Sequence, residues 1–310
     1  MCCERRWVVR ACDCFCLGTA MGEGEYRSGD VVIRAMRDAD IAVVDDVAWS
    51  VLGHLRPGID RETMRRRARP RFERYLELDP DGAWVAVAGE EVVGTAIAIL
   101  REGIWGLALF AVAAHMQGRG IGRRLLEAAL AYADGARGGL IMSSEDPKAM
   151  RRYALAGFDL RPCVAAAGAL RPDLEPGPAG VEEPDRARAV AHAAPISRGV
   201  RGASHGEDLG LLLDAGARML TLPGGFVIHE EGTVRMLAAL DEDTASTLLW
   251  AAFAQAPRGA TVQADLITAG QDWAIRPCLR AGLALSPGGA VFTRGEVGPL
   301  RPYLPTGAWL

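Results

Sequence analysis

The stretch that decides the fold is "HMQGRGIGRRLLEAALAYA", His115 to Ala133. Gly118, Gly120 and Gly122 alternate with Arg119 and Ile121, and a helical pattern then takes over. Leu125, Leu126, Ala129, Leu130 and Ala133 share one face, while Arg123, Arg124 and Glu127 point elsewhere. Just upstream, "IWGLALFAVA" reads as a strand apolar on both faces. Strand, glycine-rich bend and helix start together outline an anion site. The first N–H groups of a helix lack intrahelical partners, and the helix dipole places positive charge beside them. Glycine removes the Cβ atoms that would hold a diphosphate away and permits the positive φ of a tight curl. Arg119, Arg123 and Arg124 add charge-assisted donors for phosphate oxygens.

Three other readings compete. A P-loop requires a lysine after its last glycine, and this motif has none. A dinucleotide fingerprint begins at Gly118-x-Gly120, but Arg123 stands where it needs Gly or Ala, and the motif follows a hairpin rather than the first strand of a βαβ unit. A glycine turn that only packs stays open as the third.

Working outward, "VVIRAMRDADI" from Val31 predicts a short strand and a helix opened by Asp38 or Asp40, running through "VVDDVAWSVLGHL". Arg61 to Leu78 reads as a second helix, dense in arginine. "AWVAVAGEEVVGTAIAIL" is a hairpin turning at Gly89-Glu90-Glu91. After the opening motif come a strand at "GGLIMSS", a helix from Pro147 to Ala156 and a turn at Gly157. The prolines and glycines of "LRPDLEPGPAGVEE" mark a linker. The expected organisation is a leader over 1–30, a first domain over 31–170, a linker over 171–183 and a second domain over 184–310.

The second domain partly repeats the first. "GGFVIHEEGTVRMLAAL" (Gly224 to Leu240) mirrors "GAWVAVAGEEVVGTAIAIL", and "LITAGQDWAIRPCLRAGLAL" (Leu266 to Leu285) mirrors "LIMSSEDPKAMRRYALAGFDL". These matches predict an internal duplication. Where the first copy has Gln117 to Gly122, the second has "DEDTASTLLWAAFAQAP", and where the first has Tyr153 the second has Cys278. One copy carries a site that the other lacks.

Composition sets the outer limits. With 35 basic and 39 acidic residues and a formal charge of -4, no global basic field points to nucleic acid or a membrane surface. No run reaches the length of a membrane span. Cys2, Cys3, Cys12, Cys14 and Cys16 crowd the leader, but no second Cys/His cluster completes a metal site, and Arg10 and Asp13 interrupt a signal-peptide pattern. A cytoplasmic protein with reduced thiols and no metal is expected.

Q-x-x-G-x-G at Gln117, Gly120 and Gly122, preceded by "LFAVAAHM", resembles the acetyl-coenzyme A loop of the GNAT acetyltransferase superfamily. "AMRRYALAGF" supplies the tyrosine, Tyr153, and the Gly157-Phe158 pair that many members carry in the helix after next. The organisation is similar to tandem GNAT proteins of the mycothiol synthase type. The resemblance implies an α/β (α+β) fold of two GNAT-like domains, each a mixed, mostly antiparallel twisted sheet flanked by helices, with the second domain degenerate.

The resemblance also implies roles. Phe110, Ala111 and Val112 would offer backbone groups to the pantetheine arm of acetyl-coenzyme A. Gln117, Gly118, Arg119, Gly120, Ile121, Gly122 and Arg123 would hold its pyrophosphate. Asp146 stands where many members have an asparagine that contacts the cofactor arm. Tyr153 is the candidate general acid for the leaving thiolate. The implied reaction is acetyl transfer to the amine of a small molecule, peptide or protein, by a monomeric pseudo-dimer or a homodimer. The alternative is a silent coenzyme A-binding or sensor module. No general base declares itself: Ile104 to Leu109 holds nothing titratable, and Glu102, His54 and His115 are weak candidates. Asp45, Asp46 and Trp49 would favour a cationic acceptor, against the arginines of 65–74.

Overall fold

The computed structural model describes residues 31–53 and 60–307, so the cysteine-rich leader and His54 lie outside the described residues. Contacts divide the chain into two compact units: residues up to 99 together with 107–135, and residues 100–106 together with 136–310.

In the first unit, β1 (Val31–Ala35), β2 (Ala83–Ala88), β3 (Glu91–Arg101) and β4 (Ile104–Val112) lie side by side in chain order. The turn joining β3 to β4 belongs to the second unit. β1 pairs antiparallel with β2, and β2 with β3. Helices α1 (Ile41–Leu52), α2 (Arg61–Leu78) and α3 (Ile121–Ala131) complete it, with Phe72 and Tyr75 of α2 fully buried. Asp40 precedes α1 as expected, but its carboxylate does not cap the helix. It accepts from Arg34 Nη2 at 2.8 Å and from the Arg37 amide at 2.8 Å, fastening the 3-10 turn ahead of α1. α2 has a side-chain cap: Asp60 accepts from the Thr63 amide at 2.9 Å.

The second unit holds two sheets. One runs β5 (Gly138–Ser143), β11 (Ala284–Gly295), β6 (Asp159–Ala169), β10 (Thr261–Thr268), with every neighbour antiparallel. The other runs β12 (Tyr303–Leu304), β9 (Thr233–Ala239), β8 (Gly225–Glu230), β7 (Arg218–Leu222). The helices are α4 (Pro147–Leu155), α5 (Arg186–Arg201), α6 (Asp208–Asp214), α7 (Glu242–Phe253) and α8 (Asp272–Arg280). Leu248, Leu249 and Phe253 of α7 pack with Trp273 and Cys278 of α8 in one core.

The compact units do not follow the division at 171–183. β5–α4–β6 and β10–α8–β11 repeat one order, and their strands interleave. β11 pairs with β5 through Phe292↔Ile141 and with β6 through Phe292↔Leu160. β6 continues to β10 through Ala166↔Ala264. Strand exchange therefore binds residues 136–169 to those of the second half, and the segment past 136 clusters there.

One element of the sequence mirror was out of step. The turn between β3 and β4 has Glu102 and Gly103 at φ 46° and 79°, and that between β8 and β9 has Glu231 and Gly232 at φ 47° and 89°. Two successive left-handed residues make the tight hairpin turn that suits twisted strands. β8–β9 thus corresponds to β3–β4, not to β2–β3, and β7 takes the place of β2. Both hairpins of the first half turn on acidic residues, so composition alone left the register of the repeat ambiguous. No helix among the described residues is long and apolar enough to cross a membrane.

Candidate active site

The glycine loop lies in the first unit. β4 ends at Val112, a 3-10 turn covers Ala114–Met116 with Met116 buried, and α3 starts at Ile121. The Gln117 side chain donates through Nε2 to the Val112 carbonyl at 3.0 Å, tying the loop to the end of its strand. Gly118 and Gly120 have φ of 80° and 79°. Gly120 is the N-cap of α3; no side chain caps the helix and no acidic residue occupies its first turn. A Cβ added at Gly118 or Gly120 would meet no described atom within 4 Å, so these glycines leave space rather than fill a tight contact. Gly122 differs: a Cβ there would lie 3.3 Å from the Phe110 ring. Ile121 is buried and anchors the helix. Its amide, not its side chain, is what the loop presents. Arg123 is exposed and lies 3.6 Å from Glu127.

In the second unit β4 pairs in parallel with β5 only over Ile104↔Gly138, Trp105↔Gly139 and Gly106↔Leu140. Phe110, Ala111 and Val112 lie beyond that register.

Tyr153 is buried on α4, edge-on to Phe292 with centroids 5.4 Å apart. Burial, helped by Asp146, pushes its phenol well above the ordinary tyrosine range, so the hydroxyl keeps its proton. The spacing from Tyr153 to Gly157-Phe158 has a local cause. Gly157 N–H donates to Ala154 O and Phe158 N–H to Tyr153 O, with Gly157 at φ 85°, which is the two-bond glycine stop of a helix. The same stop ends α8: Gly282 donates to Leu279 and Leu283 to Cys278. The spacing therefore encodes a helix end in both places, and where α4 carries Tyr153 four residues before the glycine, α8 carries Cys278. Cys278 is buried, and its thiol is pushed up to about 12.

Asp146 has a structural task. Its carboxylate accepts from the Lys148 amide at 2.9 Å as N-cap of α4. Glu102 is equally committed: it accepts from Arg198 Nη2 at 2.7 Å and from the Ser204 amide at 3.0 Å. Arg198 holds its carboxyl below the usual range, which makes it a poor base. His115 is exposed, 3.8 Å from Glu91. Asp46 is bound by Arg61 at 2.6 Å and Arg65 at 2.7 Å, Asp45 pairs with Arg61, and Arg61 stacks over Trp49. The acids of α1 are thus neutralised by the start of α2, an association across the helix pair that helical spacing does not reveal. Among the described residues no group of three or more His, Cys, Asp or Glu side chains forms a metal site.

The profile of the acetyltransferase (GNAT) family matches residues 52–158. No curated protein matches the chain. Among solved structures, a candidate acetyltransferase from Pyrococcus horikoshii is similar over 94% of this chain and 98% of that one, at 19% identity and a TM-score of 0.70. GCN5-related N-acetyltransferases from Sphaerobacter thermophilus and Kribbella flavida are also similar. The first is 15% identical with a TM-score of 0.55, covering 86% of this chain and 96% of that one. The second is 18% identical with a TM-score of 0.52, covering 86% and 71%. At such identities the likeness is one of fold.

Proposed function

We propose that this chain, whose residues 52–158 match the GNAT family profile, transfers the acetyl group of acetyl-coenzyme A to an amine. The observation that carries the reading is the start of α3: a helix N-terminus with no side-chain cap, glycines that leave it bare, and arginines beside it. This is what a pyrophosphate requires. The amides of Gly118 to Gly122 and the side chains of Arg119 and Arg123 take that group, while the Gln117 amide already donates to the Ala114 carbonyl at 3.3 Å. The backbone of Phe110, Ala111 and Val112 takes the pantetheine arm. Asp146, committed to its cap, is dispensable for binding.

In the reaction the neutral amine attacks the thioester carbonyl, the C–N bond forms and the C–S bond breaks. The departing thiolate takes the Tyr153 proton, and the amine's surplus proton returns through solvent to the Tyr153 phenolate. Burial keeps the Tyr153 hydroxyl protonated, which leaves it a hydrogen-bond donor for the sulfur as charge develops there. Holding both reactants together supplies much of the acceleration. A silent coenzyme A-binding module is the second reading, favoured by the lack of a titratable side chain from Ile104 to Val112. Titration of acetyl-coenzyme A, followed by an amine screen that monitors thiol release, separates them. Binding with release establishes the transferase, binding alone the module, and no binding defeats both.

A further inference from the structure

The second half has a slot beside the stretch of strand that leads into the one assigned above to the pantetheine arm, meeting it at the position of Phe110, and it is filled by the chain itself. Counted from the shared Glu-Gly turns, Leu237, Ala238 and Ala239 of β9 fall at the positions of Ala108, Leu109 and Phe110 of β4. On β4 these positions lie just past the end of its pairing with β5. On β9 they are paired with β12, Tyr303 opposite Ala238 and Leu304 opposite Leu237, and the Ala239 amide donates to the Pro302 carbonyl at 3.3 Å.

The fit is built rather than incidental. Tyr303 and Leu304 are each 1% exposed. The Tyr303 amide donates to Gln271 Oε1 at 2.9 Å, and Gln271 is the N-cap of α8, as Asp146 is of α4. The Tyr303 hydroxyl lies 3.3 Å from His205 Nε2, whose Nδ1 lies 3.2 Å from the Ser197 hydroxyl. Upstream, Arg301 Nε donates to Glu242 at 2.8 Å in the first turn of α7. The segment therefore passes a helix start and then runs along the strand that leads into that helix, with charges inverted. A cation meets an acidic helix start where the first half offers arginines and bare amides.

We propose that Arg301–Leu304 is a built-in peptide occupant of the second half's cofactor slot, which excludes coenzyme A from that half and limits the chain to one acetyl-coenzyme A. The inference rests on the assignment of the first-half loop to the coenzyme. Its chemistry is strand addition: backbone hydrogen bonds to β9, side-chain sockets for Tyr303 and Leu304, and one ion pair at the helix start.

The test compares the full chain, the full chain with Tyr303→Ala, the full chain with Arg301→Glu, and a chain ending at Leu300. Backbone hydrogen exchange over Thr233–Ala239 and acetyl-coenzyme A titration are the readouts. Exchange at Leu237–Ala239 is expected to quicken roughly tenfold or more in the Tyr303→Ala and shortened chains. A synthetic peptide spanning Arg301–Thr306 should restore protection to the shortened chain. The unaltered chain should bind one acetyl-coenzyme A, and Tyr303→Ala and Arg301→Glu should keep that affinity within about twofold. Unchanged exchange in Tyr303→Ala, or a second coenzyme bound per unaltered chain, overturns the proposal; if the shortened chain does not fold, the two point variants decide it. A chain that binds no coenzyme while the exchange results hold refutes the first-half assignment instead, and leaves the peptide seat standing.

Discussion

The starts of α3 and α7 are the most instructive pair in this protein. Each helix follows a strand that leaves a Glu-Gly hairpin turn. Residues 113–120 separate β4 from α3, and only Leu240 and Asp241 separate β9 from α7. The longer connection curls through two left-handed glycines and delivers uncapped amides. The shorter one ends in Asp241, whose side chain accepts from the Thr244 amide at 2.7 Å, with Glu242 and Asp243 behind it. Both solutions satisfy the same rule, that the first N–H groups of a helix need acceptors. α7 supplies its own and is closed to anions, whereas α3 leaves the acceptor to be brought in.

The largest effect should come from giving α3 what α7 has. Gly120→Glu places a carboxylate at the helix start and a Cβ at φ 79°. Acetyl-coenzyme A affinity should fall at least about 100-fold, or roughly 2.7 kcal/mol, with the far-UV circular dichroism retained. Calorimetric titration checks it, and retained affinity refutes the loop's assignment. Next in size is Tyr153→Phe, which removes the hydroxyl and keeps the packing on Phe292. Turnover should drop about 100-fold, the scale of a lost general acid, with coenzyme affinity unchanged; equal turnover returns Tyr153 to the core.

A smaller effect is tied to pH. His229 lies in the interior of the second half, opposite Arg218 in the β7–β8 register, and Glu183 also faces it. Its Nδ1 accepts from the Gly232 amide at 3.3 Å, so it serves the Glu-Gly turn as a neutral ring. Burial lowers its pKa from 6.5 to about 4. The unfolded chain therefore takes up this proton first as pH falls, and the stability that the neutral ring contributes is complete above pH 6.5 and drains away towards pH 4. Urea melts across that window should slope less steeply in His229→Gln; an identical slope would remove His229 from the account. The smallest effect is Asp241→Ala, a lost cap worth about 1 kcal/mol in urea unfolding. It should create no second coenzyme site, because α7 still lacks the glycine loop.

Local signals in the sequence carried much of the architecture. The β2–β3 hairpin, the apolar β4, the amphipathic α3 and the glycine stop of α4 are all written in short-range spacing, and each stands where its pattern places it. The glycine loop was legible for the same reason, since positive φ and missing Cβ atoms are properties of residue type. The step between the two copies was not legible. Acidic turns recur in both hairpins, and only backbone angles distinguish them. Roles that depend on a distant partner were equally hidden. Glu102 is a possible base until Arg198 is seen to hold it, and Asp45 and Asp46 are a possible acceptor pocket until Arg61 and Arg65 are seen to fill it.

By itself the sequence determined the order of elements from β1 to α4, the bare helix start and the difference between Tyr153 and Cys278. Tertiary structure decided the rest: β11 inserted between β5 and β6, and β12 seated on β9. The physical reason is range. Helix stops, caps and left-handed turns are settled within a few residues, but a strand edge accepts any chain that brings matching N–H and C=O groups and buries its side chains. Which segment arrives there is settled only by the folded whole.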